Sequence, residues 1–111
     1  MFNSTSTRFA LCRLVTRRMV KLDCSNIFFY SQLDEKHLFE WALEIQGVIR
    51  WEQDTLVVRS TRLSEASLRD ILSLFHRYRI PMQQLQVFMN ERNRHWYKNK
   101  SAYWYKGVFG E

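Results

Sequence analysis

The chain has 111 residues, 46% hydrophobic and 15% aromatic, with three glycines and one proline; this is apolar material for one core, and it excludes a disordered polymer or an array of linked domains. The longest apolar runs, such as residues 27–30, fall far short of the ~20 residues of a membrane helix, and Cys12 and Cys24 are too few for a disulfide framework or a zinc site, so a soluble protein of the reducing cytoplasm is expected. The net charge of +6 is unevenly held: residues 1–24 carry five basic and one acidic group, residues 25–60 three and six, and residues 61–111 nine and four.

Residues 1–18 contain no carboxylate, are rich in Ser, Thr and Arg, and set Phe9, Leu11, Leu14 and Val15 among Arg8, Arg13, Arg17 and Arg18. That composition fits a targeting segment or a basic membrane-surface helix, and equally a disordered tail or an over-extended start before Met19. A single domain is expected over residues 19–111, and without the four arginines its net charge falls to +2.

The run "NIFFY", residues 26–30, is apolar and rich in β-formers, which predicts a buried strand beginning as early as Val20. Ser31 and Asp34 then stand in a capping arrangement, and Leu38, Trp41, Ala42 and Ile45 repeat at helical spacing up to Gly47, predicting a helix over residues 33–46. In "VIRWEQDTLVVRS" apolar and polar residues alternate on either side of Gln53-Asp54, the pattern of a hairpin, with a free sheet edge expected near residues 57–60. Ser64 caps a second helix whose apolar stripe is Leu68, Ile71, Leu72, Phe75 and Tyr78, and Pro81 ends it at Arg79 or Ile80.

Residues 81–92 fit two patterns. Leu85, Val87 and Met89 alternate as in a strand, while Met82, Leu85, Phe88 and Met89 match a helix opened by Pro81. The strand completes the βαββαβ order of ferredoxin-like sandwiches, and topology favours it. The helix leaves three strands and a helical C-terminal third. The fold class expected is α+β: a small single-domain sandwich with a three- or four-stranded antiparallel sheet, two main helices and an aromatic-rich C-terminal segment.

Catalytic patterns do not emerge. His37 and Glu40 share a helix face without a second pair to complete a metal site, His76 falls off the apolar stripe, and Gly47, Gly107 and Gly110 stand too far apart to cradle a phosphate. No catalytic residue, metal, cofactor or small-molecule ligand is indicated, and a non-enzymatic role is expected.

The C-terminal segment carries the remaining signal. Trp96, Trp104, Val108 and Phe109 are expected to fill the core, as a small domain requires. Tyr97, Tyr103 and Tyr105 are expected outside with Arg94, Lys98, Lys100 and Lys106, together forming a partner-binding surface of aromatic and basic type. An interaction module that binds a protein partner or a second copy of itself is the leading expectation. The alternative is single-stranded RNA or DNA, with bases stacked on the same rings, although no RNP1-type consensus is present.

Overall fold

The computed structural model describes residues 19–110; the expectations for residues 1–18, Cys12 among them, lie outside the described residues. The first strand is set by alternation rather than by apolar density. In β1 (Val20–Asp23) Leu22 is buried while Lys21 and Asp23 face out, the period of a half-buried strand. Asn26 then adopts the left-handed conformation at φ 64°, which turns the chain out of the sheet. Residues 26–30 are therefore not the buried strand predicted for them: Ile27 and Phe29 rest against the core, but Phe28 and Tyr30 stand in solvent.

The first helix, α1 (Gln32–Glu44), starts where its capping residue predicts, with Ser31 Oγ accepting from the Asp34 amide at 3.2 Å and Asp34 and Glu35 in the first turn. It stops at Ile45, and Gly47 serves the following turn at φ 104°, where an added Cβ would lie 2.8 Å from Leu63 Cδ2. The hairpin β2 (Val48–Glu52) and β3 (Thr55–Val58) follows as the alternation predicts, turning at Gln53-Asp54.

The sheet of the described residues has three antiparallel strands in the order β1-β3-β2. The edge expected near residues 57–60 is corrected accordingly: β3 is the central strand. Leu56, Val57 and Val58 are all buried, with Leu56 and Val58 in the core cluster and Val57 on the opposite face. Val57 is in register with both Lys21 and Arg50; the ion pair Lys21–Glu52 (3.5 Å) ties β1 to β2 across it, and Arg50–Glu52 (2.6 Å) lies within β2. The Arg50 hydrogen bond holds the Glu52 carboxyl below its ordinary pKa.

The second helix, α2 (Glu65–Tyr78), is capped by Ser64, whose Oγ accepts from the Ser67 amide. It ends at a left-handed Arg79, with the Ile80 amide donating to the Phe75 carbonyl. Its whole predicted stripe is buried, and so is Leu74.

Residues 81–92 form neither a fourth strand nor an α-helix. They make a 3-10 segment (Gln83–Phe88), so the ferredoxin-like order is absent from the described residues. A threefold repeat suits this segment, because Met82, Leu85 and Phe88 recur every third residue, with Leu85 and Phe88 fully buried. The place beside β1 that a fourth strand would take is held by one side chain. Gln84 Oε1 accepts from the Asp23 amide at 2.7 Å, and Gln84 Nε2 donates to the Asp23 carbonyl at 2.8 Å, as a neighbouring strand would. Two short helices, α3 (Arg94–Tyr97) and α4 (Tyr105–Phe109), close the chain.

Gln84→Ala is expected to cost about 1 kcal/mol in urea unfolding and to speed hydrogen exchange at the Asp23 amide above that of Leu22.

Candidate interaction surface

The aromatic C-terminal segment is mostly interior. Tyr97 is fully buried, its hydroxyl donating to the Leu85 carbonyl at 2.6 Å, and burial pushes its pKa up. Trp104 is buried with its indole N–H on the Tyr97 carbonyl at 2.7 Å. Tyr105 is buried too, its ring 5.4 Å from that of Phe109. The expectation that Tyr97 and Tyr105 are exposed is thus corrected, since α3 and α4, of four and five residues, leave their backbones needing cover that large side chains supply. Trp104 and Val108 are core as predicted, and Trp96 and Phe109 are half-buried against it.

These rings pack on one flank of α2. The Arg69 guanidinium lies 4.5 Å from the Trp96 ring centre and 5.4 Å from that of Trp104, while its Nε donates to Glu65 at 2.8 Å. Tyr103 sits at the rim, half-exposed, with its hydroxyl 3.1 Å from that of Ser73 and its ring 4.8 Å from His76. Of the predicted binding residues, Arg94, Lys98, Lys100, Tyr103 and Lys106 are therefore exposed, and Lys98 lies 5.7 Å from the Phe109 ring. They form a basic border around one partly exposed ring rather than an aromatic platform.

The exposed aromatic surface is elsewhere, on residues the sequence reading took for a buried strand. Phe28 is 74% exposed, Tyr30 86% and Leu33 64%, and the Phe28 and Tyr30 rings meet edge to face at 4.9 Å. They border an open cleft of about 570 Å³ whose other walls include Asn26, Asp34, Arg77 and Arg79. Asn26 and Arg79, both lining this cleft, are two of the three non-glycine residues with positive φ among the described residues, so the backbone is held in an uncommon conformation at two points of its wall. The signal in the sequence was Asn26, a residue that tolerates the left-handed turn, standing before an alternation of inward Ile27 and Phe29 with outward Phe28 and Tyr30.

No family model, curated protein or solved structure matches this chain. The surface has only its own chemistry to describe it: the exposed Phe28 and Tyr30 rings, with Asp34, Arg77 and Arg79 lining the same cleft. His37 and Glu40 are exposed on α1, and the described residues contain no cluster of three or more His, Cys, Asp or Glu suited to a metal. No helix of the described residues is long and apolar enough to cross a membrane. Cys24 is buried, and burial, then the charges of Asp23 and Asp54, push its thiol from 9.0 up to about 12, the opposite of an activated nucleophile.

Two outcomes are expected. Trp104→Ala should lose about 3–5 kcal/mol of stability and Tyr103→Ala about 1 kcal/mol or less, measured by denaturant unfolding. In a Cys12→Ser background, the Cys24 thiol should resist labelling by a disulfide reagent until the protein unfolds. Because its folded pKa lies above the unfolded one, the stability it contributes is complete below pH 9 and lost between pH 9 and about 12. Cys24→Ala should flatten the fall in unfolding midpoint over that window.

Proposed function

We propose that this chain is a small non-enzymatic interaction module of the cytoplasm that binds a protein partner across Phe28, Tyr30 and Leu33. The observation that carries the reading is the clustering of three large, strongly exposed apolar side chains within six positions, two of which, Phe28 and Tyr30, line a charged cleft. Single exposed apolar residues are ordinary, but a contiguous group rimmed by polar side chains is the anatomy of an interface. The cleft carries both signs, with Asp34, Arg77 and Arg79 among its lining residues, which suits a protein surface of mixed charge better than a polyanion. Two tyrosine- or phenylalanine-sized anchors flanked by arginine are also the residue types that dominate binding energy at protein interfaces. The buried, unactivated Cys24 is in keeping with a reducing compartment.

A second reading rests on a separate feature. Arg92, Arg94, Lys98, Lys100 and Lys106 are exposed, and no carboxylate interrupts residues 92–110. Such a border favours phosphate contacts with nucleic acid, and Tyr103 offers a partly exposed ring beside it.

Photo-crosslinking from a benzoylphenylalanine placed at Tyr30 or at Tyr103 in cells separates the two. The protein reading expects protein adducts from position 30, and, with the purified partner, at least about tenfold weaker binding for Tyr30→Asp and Arg79→Glu, a loss of ~1.4 kcal/mol with Tm unchanged. Adducts confined to nucleic acid at position 103, with affinity that falls steeply in salt and a slope reduced by Lys98→Ala, would replace it with the second reading.

A further inference from the structure

Helix α1 has apolar residues on two flanks. Trp41 and Asp34 face α2, where the Tyr78 hydroxyl donates to the Asp34 carbonyl at 3.3 Å and the Tyr78 ring lies 6.5 Å from that of Trp41. Phe39 and Leu43, one turn apart, fall on the opposite flank of the helical wheel. There Phe39 meets Trp51 of β2, with ring centres 4.5 Å apart and the indole N–H donating to the Phe39 carbonyl at 3.2 Å. Leu43 finds no comparable cover and is 52% exposed; Ile49 of β2 is 38% exposed. A half-covered helix flank thus stands beside the outer strand of the sheet.

The two sheet edges are treated differently. On β1 the Gln84 carboxamide takes up the Asp23 main-chain groups, whereas β2 ends the strand order with no strand of the described residues on its outer side. The two-residue turn makes Glu52 and Thr55 the closing hydrogen-bonded pair of the hairpin, so the next pair, Trp51 and Leu56, is non-hydrogen-bonded. The amide and carbonyl of Trp51 therefore point away from β3, toward the open edge.

We propose that β2 is the contact strand of a symmetric dimer, in which a second copy of this chain pairs antiparallel about Trp51. The charge order of the strand selects that occupant. With Trp51 on the two-fold axis, Arg50 stands opposite Glu52 of the second copy and Glu52 opposite its Arg50, so both charges meet their opposites twice. The register irregularity between Val48 and Arg50 shortens the ladder, and Ile49 splays outward there. A ladder this short needs apolar area beside it, which the Phe39–Leu43 flank and its counterpart across the axis supply. The surface is distinct from the cleft at Phe28 and Tyr30, and the inference does not depend on the function proposed for that cleft.

Light scattering and sedimentation of the full chain over micromolar to submillimolar concentrations test it. The wild-type chain and Tyr30→Asp are expected to dimerise alike, while Arg50→Glu, which sets acid against acid at both pairs, shifts the equilibrium toward monomer by about tenfold or more. The double variant Arg50→Glu/Glu52→Arg restores the reciprocal pairing and is expected to regain the dimer. Leu43→Lys, on a helix surface outside the core, should weaken it independently of strand charge. A wild-type chain that stays monomeric at every concentration, a double variant no better than Arg50→Glu alone, or a dimer indifferent to all of these substitutions would overturn the proposal.

Discussion

The C-terminal third of this domain depends on side chains that hydrogen-bond main-chain carbonyls. From residue 81 onward the backbone has one 3-10 segment and two helices of four and five residues, too little regular structure to satisfy itself in the interior. Gln84 donates to the Asp23 and Pro81 carbonyls, Gln86 to Val108, Asn93 to Phe88, Tyr97 to Leu85 and Trp104 to Tyr97, at 2.6–2.9 Å. Each bond contributes little in net terms, but for the buried bonds to the Phe88, Leu85 and Tyr97 carbonyls a loss would strand the carbonyl away from water, at a cost of about 1–3 kcal/mol. Among the described residues no buried side-chain nitrogen or oxygen is left without a partner. Irregular chain can therefore be core here, and the aromatic rings are drawn inward with it.

Helix α2 is the post around which this arrangement stands. Its inner stripe lies in the core with the sheet, Tyr78 joins it to α1, and the flank bearing Arg69, Ser73 and His76 is covered by Trp96, Trp104 and Tyr103. The last contact explains how a polar flank accepts aromatic cover. A guanidinium is weakly hydrated and planar, so Arg69 can face two indole rings while Glu65 satisfies its Nε. With both flanks occupied, α2 offers its C-terminal end to solvent, and that is where Arg77 and Arg79 flank the aromatic cleft.

Much of the architecture was legible wherever a local rule and the global packing agreed. Ser31 and Ser64 each precede an apolar helical repeat, the hairpin alternates around Gln53-Asp54, and the α2 stripe runs unbroken to the Arg79 stop before Pro81. The failures have a common physical cause. Hydrophobic density marked residues 26–30 as a buried strand, yet density does not say which face is covered, and the weaker alternation of Val20, Lys21, Leu22 and Asp23 made the strand. Residues 81–92 carried periods of two and of three together, and the choice was made by Gln84 bonding out to Asp23 and by Tyr97 and Asn93 bonding in from outside the segment. Tyr97 and Tyr105 looked like surface rings among lysines because cations two or three residues away in sequence say nothing of a short helix's inner side. Of the expected binding residues, Tyr97 and Tyr105 go to the core for the same reason: the sequence shows where aromatic residues are, not which ones the core consumes.

What remains exposed is informative because the core had ample opportunity to consume it. A domain of this size is short of apolar volume, and it recruits even Tyr97 and Trp104 to fill its interior. Leaving Phe28, Tyr30, Leu33 and Leu43 outside forgoes burial worth about 1.5–3 kcal/mol for each large side chain. Two of these residues adjoin the left-handed Asn26 and Arg79, where a glycine would relieve the backbone at no cost to packing. Local rules broken together in one place, against the interest of stability, are the grounds on which we propose this surface for contact with another molecule. The same reasoning supports the contact proposed at β2, where the second apolar flank of α1 stands beside a strand whose outer side no other strand of the described residues covers.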